Sequence, residues 1–492
     1  MDIPAPTYCR PASHIIDSRF FADGYGTDEA RQVFCDLRRM QRWLEVESAL
    51  ASCQAELGLI PPAAAAALAQ TARLELLDLT AIRTGIAKTG HSLIPLLNEW
   101  QRVTDREAGQ FIHYGATTQD IEDTAQSLEL KDIHAIMLRD LEAIIGLLTD
   151  LADRHRDLVT VGRSHGQHAL PTTMGLKMAG WLDETLRNHA RLALCRPRLL
   201  VSQLFGGVGT MSALSSRGIE LLHRFSETLD LAAPISCWHS SRDRLAEFVG
   251  LLALTTGGLA RIANEICQLS RNEIGDLAEP FVFGQIGSTT MPHKKNPELC
   301  EQVVVLSRLV KANAGAALDT LINEHERDYR AVRLEWAVLT EAAIHSCAAL
   351  KMTKSILGGL NINRERIEAN LSRFATLVST EALMFLLGEK IGKQTAHALL
   401  YEASVRPPEP DQAELLTRLL GHPEVSAHFR RPDLERAIDP GRHLGLSGAI
   451  IDQVLAAARA LPSEAAASPS PCPEPLRRLC RQTCLASPPA MG

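Results

Sequence analysis

Aromatic residues and long apolar runs are scarce in this sequence. Only 4% of the 492 residues are aromatic. No apolar run reaches the ~18 residues expected of a membrane span. Residues Met1 to Arg10 lack the charged-then-apolar pattern of a signal peptide. These absences predict a cytoplasmic chain without a membrane partner.

The charge and the cysteines argue against two further classes of protein. The net charge of −7 at pH 7 gives no basic footprint for nucleic acid. Eleven cysteines are scattered along the chain, without a Cys-x-x-Cys pair and without the Cys/His spacing of a metal site. We therefore expect reduced, cytosolic thiols, no metal and no cofactor.

Alanine and leucine are abundant, which favours helices because these side chains lose little entropy there. Apolar residues recur at helical spacing before Gly58, and Pro61 follows, as expected of a helix end. A much longer helix is predicted from about Gln119 to Arg156. Beyond Leu461 the chain is rich in Pro, Ser and Ala without a core pattern, and we expect it to be disordered.

The stretch from Gly287 to Pro297 gathers polar chemistry between two long helical patterns. It carries the hydroxyl of Ser288, the ammonium of Lys294 and the carboxamide of Asn296, and Pro297 is well placed in the first turn of the next helix. A helix N-terminus suits an anion, and a serine in such a field loses its proton more easily and can act as a base. The residue types alone are equally typical of a polar surface loop.

Two other polar stretches between helical patterns carry groups that bind anions or transfer protons. Thr117 and Thr118 precede the long predicted helix, where hydroxyls and free N–H groups can hold a carboxylate, although an N-cap cluster explains them as well. Arg163 and His165 lie in the stretch 162–173, where an arginine beside two histidines indicates proton handling and anion binding. The alternative there is a loop whose histidines bond backbone groups.

The order of residues from Gly287 onwards is similar to the signature loop of the fumarase/aspartase superfamily, Gly-Ser-Ser-x-Met-Pro-x-Lys-x-Asn. Ser288, Lys294 and Asn296 fall on the family's positions, and Thr289 stands where the second serine is usual. The resemblance implies that Ser288 is the catalytic base and that Lys294 and Asn296 take part in catalysis.

Two further regions extend the resemblance. The stretch 162–173 resembles the family's Arg-Thr-His-x-Gln-x-Ala-x-Pro-x-Thr region, with Ser164 replacing the threonine, which assigns His165 to catalysis. The stretch around Thr117 is most similar to the branch of adenylosuccinate lyases and 3-carboxy-cis,cis-muconate cycloisomerases. The substrate-binding residues that the resemblance implies are His91, His113, Thr117, Thr118, Arg163, Gln167, Arg242, Glu301 and Arg327.

The resemblance covers about residues 17–458 and implies an all-α fold in three parts around a central bundle of long helices. We expect the parts at residues 1–112, 113–360 and 361–461, before a disordered tail at 462–492. Long helices leave apolar stripes that one chain cannot cover, and the family forms homotetramers whose sites are built from three subunits.

The implied reaction is a β-elimination from a substituted succinate, a small dicarboxylate, with release of fumarate. Ser288 would take the proton from the carbon beside one carboxylate. Lys294, Asn296 and the helix N-terminus would stabilise the doubly charged aci-carboxylate. The two threonines and the family's arginine would clamp the carboxylates, and His165 or His113 would assist the leaving group.

The leaving group is predicted from the residues after the His-Glu-Arg corner at 325–327. Adenylosuccinate lyases place a serine and an arginine there for a nucleotide phosphate, whereas Val332 and Trp336 stand at the corresponding positions. These residues argue against a nucleotide substrate, and His165, where the bacterial cycloisomerases often carry a tryptophan, points to fumarate-releasing elimination. We expect a small group on succinate with nitrogen as the leaving atom, and nitrosuccinate or an N-substituted aspartate is the candidate substrate. Two alternatives stay open: a 3-carboxy-cis,cis-muconate cycloisomerase, favoured by Trp238 and the stretch 334–336, and a catalytically silent structural paralogue.

Overall fold

A computed structural model describes residues 13–282, 284–405, 411–461 and 473–485 of the chain. The structure is 69% helical and 4% strand, which confirms the predicted all-α class. The N-terminal helices are α1 (Asp28–Val33), α2 (Asp36–Glu56), α3 (Pro62–Thr71), α4 (Leu79–Thr89) and α5 (Ile94–Val103).

The central part is a bundle of long helices with one antiparallel hairpin at its side. The helices are α6 (Thr118–Arg154), α7 (Met174–Leu199), α8 (Gly218–Thr228), α9 (Asp243–Leu269), α10 (Glu298–Leu318) and α11 (Tyr329–Gly358). The hairpin, between α6 and α7, consists of β1 (Val159–Ser164) and β2 (Gln167–Thr173). A second short antiparallel pair consists of β3 (Leu277–Ala278) and β4 (Asn361–Ile362).

The C-terminal part consists of shorter helices. They are α12 (Arg364–Val378), α13 (Thr380–Ile391), α14 (Lys393–Val405), α15 (Gln412–Leu420), α16 (Pro423–Ser426), α17 (Arg431–Ala437), α18 (Ser447–Arg459) and α19 (Glu474–Leu485).

Helix α6 carries the candidate site at its N-terminus. Its 37 residues agree with the helix predicted over 119–156 and span about 55 Å. The carboxylate of the buried Asp120 accepts the N–H of Thr117 at 3.0 Å and that of Gly206 at 2.9 Å. A buried charge with several donors is costly to move, so the start of α6 is fixed in place.

Two apolar cores hold the helices together. The larger one runs through the N-terminal and central parts without a break, and the smaller one lies within residues 383–438. Helix α18 leaves the smaller core and packs on α6 and α7, where Ile451 and Leu455 are buried in the larger core. The independent C-terminal core is therefore shorter than the predicted part at 361–461.

Helix α9 is long and apolar enough to cross a membrane by length and composition, and 61% of that stretch is buried within the bundle. The core helix of a bundle passes the same test. Large apolar side chains also face outwards from neighbouring helices: Leu254 of α9, Leu194 of α7 and Leu318 of α10 are all more than half exposed. Such outward apolar surface is what the long helices were expected to leave.

The prediction of a disordered tail is wrong for Glu474–Leu485, which forms α19. Leu476 is buried, Leu479 packs beside it against the larger core, and α19 contacts α2. The Pro/Ser/Ala composition of the surrounding segment hides this helix, because Leu476 and Leu479 are only three residues apart and give a short apolar face. The rest of the predicted tail lies outside the described residues.

Candidate active site

The loop from Gly287 to Asn296 is closed on itself by short contacts. The side-chain amide of Asn296 donates to the carbonyl of Gly287 at 2.7 Å, and the N–H of Lys294 donates to the carbonyl of Met291 at 3.0 Å. A Cβ on Gly287 would lie 2.2 Å from the carbonyl oxygen of Lys294, so only glycine lets the chain cross here. The three predicted loop residues, Ser288 among them, therefore share one compact turn.

Ser288 is held by backbone donors. Its Oγ accepts the N–H of Met291 at 3.1 Å and that of Thr290 at 3.4 Å. N–H groups aimed at one oxygen favour its ionised form. In the described part of the chain, no histidine or carboxylate hydrogen-bonds to Ser288.

A cavity of roughly 790 Å³ opens between this loop and the C-terminal end of α9. Lys294, Asn296 and Glu301 line it together with Arg271. Lys294 and Glu301 form no ion pair with each other among the described residues, so the lysine's ammonium is not neutralised by that glutamate. The cavity lining thus sets cations beside the carboxylates of Glu273, Glu279 and Glu301.

The N-terminus of α10 is already capped by a carboxylate of the protein. Glu279 accepts the N–H of Leu299 at 3.1 Å and that of Cys300 at 2.9 Å. These are the donors that we expected to stabilise the substrate's charge. That expectation is wrong for this structure, because Glu279 already accepts the hydrogen bonds of these N–H groups. Glu279 lies 18 residues before Pro297 in the sequence.

The N-terminus of α6 brings four of the predicted residues together. Arg327 donates from Nη1 to Oγ1 of Thr117 at 2.7 Å, and Oγ1 of Thr118 lies 3.4 Å from Nε2 of His91. Three of them, His91, Thr118 and Arg327, line a cavity of roughly 310 Å³. Its lining includes His91, Ser92, Thr118, Arg327, Tyr329 and Arg333. Hydroxyls beside a guanidinium form a suitable receptor for a carboxylate.

His91 is oriented by the start of α5. Its Nδ1 accepts the N–H of Leu93 at 3.3 Å and that of Ile94 at 3.2 Å. Burial lowers the pKa of His91, and the neighbouring His113 lowers it further. The imidazole is therefore neutral at pH 7, and because Nδ1 is an acceptor, its proton is on Nε2, facing Thr118.

His113 is paired away from that cavity. Its Nδ1 lies 2.6 Å from Oε1 of the buried Glu47. Burial alone would lower the pKa of His113, but the hydrogen bond to Glu47 and its charge outweigh burial and raise it. His113 does not line the cavity. Its charge nevertheless lowers the pKa of His91.

The hairpin β1–β2 presents His165 at its tip, with φ +52° and an exposed side chain, and Gln167 is also exposed. Arg163 lies lower in the hairpin and donates from Nη2 to the buried Asp276 at 3.1 Å. Asp276 also accepts the side-chain amide of Asn370 at 2.7 Å. Within this chain Arg163 therefore anchors the hairpin, and its contact with a substrate stays a prediction.

Arg242 is a second predicted binding residue that the structure places in the core. It is 1% exposed and donates from Nη1 to Asp123 at 2.8 Å and from Nε to Glu335 at 2.7 Å. Burial disfavours the charged guanidinium, but the two carboxylates raise its pKa far above the ordinary value. Arg242 therefore joins α9 to α6 and α11 and lines neither of the two cavities described above. Its role in substrate binding stays a prediction.

Sequence reasoning missed a buried carboxyl beside the cavity. Glu122 is 2% exposed, and the hydroxyls of Ser92 and Tyr329 donate to it. Its four-residue separation from Thr118 puts both on one face of α6, and this spacing was a signal that could have found it. The tyrosine lies only two residues after Arg327, at the start of α11.

In the part of the chain that the structure describes, the three groups of predicted residues share neither a hydrogen bond nor one of the described cavities: Lys294 and Asn296 line one, the residues at the start of α6 line another, and His165 lines neither. Among the described residues, no hydrogen bond or ion pair joins Ser288 to Thr118 or to His165. No group of three or more His, Cys, Asp and Glu side chains in the described residues could hold a metal ion. One chain therefore supplies three parts of a site. They are the loop at 287–297, which we call the flap, the carboxylate receptor formed by Thr117, Thr118 and Arg327 at the start of α6, and the exposed His165.

Comparisons with known proteins cover most of the chain. Residues 24–311 match the family model described as Lyase, and residues 376–454 match the one described as Adenylosuccinate lyase C-terminus. N-acetyl-S-(2-succino)cysteine lyase of Dickeya dadantii is 38% identical over 444 residues, which cover 90% of this chain and 97% of that protein.

Two further relatives carry other activities in their names. Adenylosuccinate lyase of Methanocaldococcus jannaschii is 36% identical over 447 residues, or 90% of this chain and 96% of that protein. The crystal structure of 3-carboxy-cis,cis-muconate lactonizing enzyme from Pseudomonas putida superposes with a TM-score of 0.82 at 34% identity, covering 89% of this chain and 98% of that chain.

Proposed function

The chain belongs to the fumarase/aspartase superfamily, in the branch of the adenylosuccinate lyases and 3-carboxy-cis,cis-muconate cycloisomerases, and on that basis we propose that it is a fumarate-releasing lyase. The reaction is a β-elimination from a substituted succinate. Chemistry of this kind is shared across the lyase superfamily.

The arrangement around Ser288 carries the proposal. Its Oγ accepts two backbone N–H groups, on a turn that also holds Lys294 and Asn296. The serine alkoxide removes a proton from the carbon beside one carboxylate, and the C–X bond on the neighbouring carbon then breaks. Lys294 and Asn296 stabilise the negative charge that collects on the aci-carboxylate between these steps.

The cavity at the start of α6 would hold the substrate's carboxylates. Arg327 and the threonine hydroxyls offer charge-assisted and neutral donors there, and Arg327 is already aligned by its bond to Thr117. The neutral His91 adds one further donor through Nε2. A preformed receptor of this kind fixes the diacid so that one carbon is presented to the base.

The site would be completed by other copies of the chain. Among the described residues the flap, the receptor and His165 share no hydrogen bond and no cavity, and large apolar side chains face outwards from α7, α9 and α10. A homotetramer that buries those side chains would bring the flap and the hairpin of other copies to the receptor at α6. Such burial of apolar surface is the main driving force of stable association.

Nitrogen is the leaving atom that we propose first, with nitrosuccinate as the candidate substrate. A second candidate is a sulfur leaving atom, because the relative at 38% identity is named for N-acetyl-S-(2-succino)cysteine. Both substrates are substituted succinates and yield the same fumarate. They differ in the basicity of the group that departs, which allows kinetics to separate them.

A panel of substrates tests the proposal. Purified protein is supplied in parallel with nitrosuccinate, N-acetyl-S-(2-succino)cysteine, aspartate, adenylosuccinate and 3-carboxy-cis,cis-muconate, and fumarate is followed by absorbance. We expect fumarate from a succinate with a nitrogen or sulfur substituent. Consumption of the muconate without fumarate would instead indicate the cycloisomerase, and no turnover of any substrate would indicate a silent paralogue.

A further inference from the structure

The cavity at the start of α6 has a buried acid behind its wall. Glu122 follows Thr118 by one helical turn and is 2% exposed. Between its carboxyl group and the cavity stand the hydroxyls of Ser92 and Tyr329, which both line the cavity. Any proton exchanged between Glu122 and a ligand in the cavity has to pass through one of these hydroxyls.

The hydrogen bonds of Glu122 define a short chain of groups. Ser92 donates from Oγ to Oε1, and Tyr329 donates from its hydroxyl to Oε2 at 2.9 Å. The two hydroxyl oxygens are themselves 3.3 Å apart. Each oxygen of the carboxyl group therefore has a hydroxyl partner, and both partners face the cavity.

The surroundings of Glu122 favour its protonated form near neutral pH. Burial raises its pKa to about 7, and the charge of Asp123 raises it too, although the two hydroxyl donors and Arg39 of α2 act in the opposite direction. From α11, Arg333 lies over the ring of Tyr329 at 5.2 Å. His91, across the cavity, is neutral. The proton on Glu122 is thus available at the pH at which a cytosolic enzyme works.

The protonation state of Glu122 decides what the cavity wall offers. A carboxylate only accepts, so it takes the hydrogens of both hydroxyls and leaves lone pairs facing the cavity. A carboxylic acid donates one hydrogen to a hydroxyl oxygen, which frees that hydroxyl's own hydrogen to point at a ligand. The wall is a proton donor only while Glu122 is protonated.

We propose that Glu122 is a positioning residue that supplies, through the Tyr329 hydroxyl, the proton taken up by the departing atom of the substrate. This inference rests on the proposed β-elimination. The C–X bond breaks with its electron pair on X, X takes the hydrogen of Tyr329, and Tyr329 takes that of Glu122. Solvent then reprotonates the carboxylate, and Ser288 returns to solvent the proton it removed from carbon.

Tyr329 is the better placed of the two hydroxyls for this step. It opens α11 two residues after Arg327, so its hydroxyl adjoins the proposed carboxylate receptor. A phenol is also a stronger acid than an aliphatic hydroxyl. Ser92 then serves to hold the carboxyl group in position.

The dependence on the leaving group is the signature of such a relay. Nitrite is a weak base and departs with little need of a proton. A thiolate is the more basic of the two leaving groups, since a thiol has a pKa of about 8.5, and it gains more from protonation as it leaves. Glu122→Gln keeps the shape and the hydrogen-bonding capacity of the side chain but cannot release a proton. We expect kcat for N-acetyl-S-(2-succino)cysteine to fall about 100-fold, and kcat for nitrosuccinate to change less than about threefold.

The pH profile gives a second readout that a purely structural role would not move. In the wild type, kcat for the thioether should fall as pH rises through about 7, where Glu122 loses its proton. Glu122→Gln should lack this limb. Tyr329→Phe should show the same loss confined to the thioether, since it removes the hydroxyl and leaves Glu122 in place.

Glu142→Gln is the matched control, because it makes the same change on the same helix about 30 Å away, beside His189. It should leave both rates unchanged. Equal losses on both substrates in Glu122→Gln, or no loss on either, would overturn the relay. Failure of the wild type to release fumarate from either substrate would instead overturn the proposed function itself, so the two failures are distinguishable.

Discussion

The flap at 287–297 and the start of α6 are built in opposite ways. Ser288 is held by two backbone N–H groups on an exposed loop, whereas the receptor at Thr117 and Thr118 rests on buried charges. Beneath those threonines, Asp120 pairs with His239 at 2.9 Å. Burial alone would lower the pKa of His239, but its bond to Asp120 raises it to about 9.

The difference indicates a division of labour. The group that we propose as the base lies where it can approach a bound substrate, and the groups proposed to bind the substrate are fixed in advance. Substitutions in the flap should therefore reduce turnover and leave the free energy of unfolding unchanged. Substitutions of the buried charges beneath the receptor should reduce the free energy of unfolding. Four measurements test that contrast, in order of decreasing effect.

Ser288→Ala should have the largest effect. Loss of the proposed base should reduce kcat by about 1,000-fold or more, with no change in unfolding free energy or in oligomeric state. Steady-state kinetics and analytical ultracentrifugation make the measurement, and Thr290→Ala, an exposed hydroxyl two residues on, is the control. Substantial activity in Ser288→Ala would remove Ser288 from the role of base.

Arg242→Met should destabilise the fold, because it leaves Asp123 and Glu335 buried without their partner. We expect a loss of about 3–5 kcal/mol in unfolding free energy. Chemical denaturation measures this loss, and Arg244→Met, two residues away and partly exposed, should cost much less. If Arg242→Met instead raised KM at unchanged stability, the predicted binding role would be supported.

Arg327→Ala should weaken substrate binding without unfolding the chain. Removal of a charge-assisted carboxylate contact should lower kcat/KM by about 100-fold. The comparison is Arg330→Ala, whose arginine is exposed and paired with Asp328. A similar loss of kcat/KM in both variants would mean that the positive charge of this segment assists binding, and that no single contact of Arg327 does.

Glu122 should make stability depend on pH. Its folded pKa of about 7 lies above the ordinary 4.5, so its contribution is complete below pH 4.5 and is lost as pH rises to about 7. Between these limits the wild type should lose about 2.5 kcal/mol relative to Glu122→Gln. Urea unfolding at pH 5 and pH 8 measures this, and an identical pH dependence in both proteins would contradict the raised pKa.

The sequence was a good guide wherever a pattern is local. Helical spacing predicted α6 within two residues at each end, and Gly58 stops α2 with a positive φ of 67°. The polar loop at 287–297 was also identified, because hydroxyl, ammonium and carboxamide follow one another in a short stretch.

What the sequence could not provide are partners from distant parts of the chain. Glu279 caps the α10 N-terminus that we expected to bind the substrate. Arg242 pairs with Asp123 and Glu335, which are 119 and 93 residues away in the sequence. The spacing of Glu122 from Thr118 was its only local signal, because its hydrogen-bond donors Ser92 and Tyr329 come from distant parts of the chain. In each case burial, which follows from tertiary packing, changed what the residue can do.

The central claim is that the flap of one copy acts on a diacid held by the α6 receptor of another. Two variants of strongly reduced activity, Ser288→Ala and Arg327→Ala, are unfolded together in equal amounts and refolded. They are then assayed, at a concentration well below KM, with a substrate that the wild type converts to fumarate. Shared sites predict that mixing restores activity, to roughly a quarter of the wild-type sites, since each contributing chain is native at its residue half the time. Mixed oligomers that form normally yet remain as inactive as either parent would contradict the account.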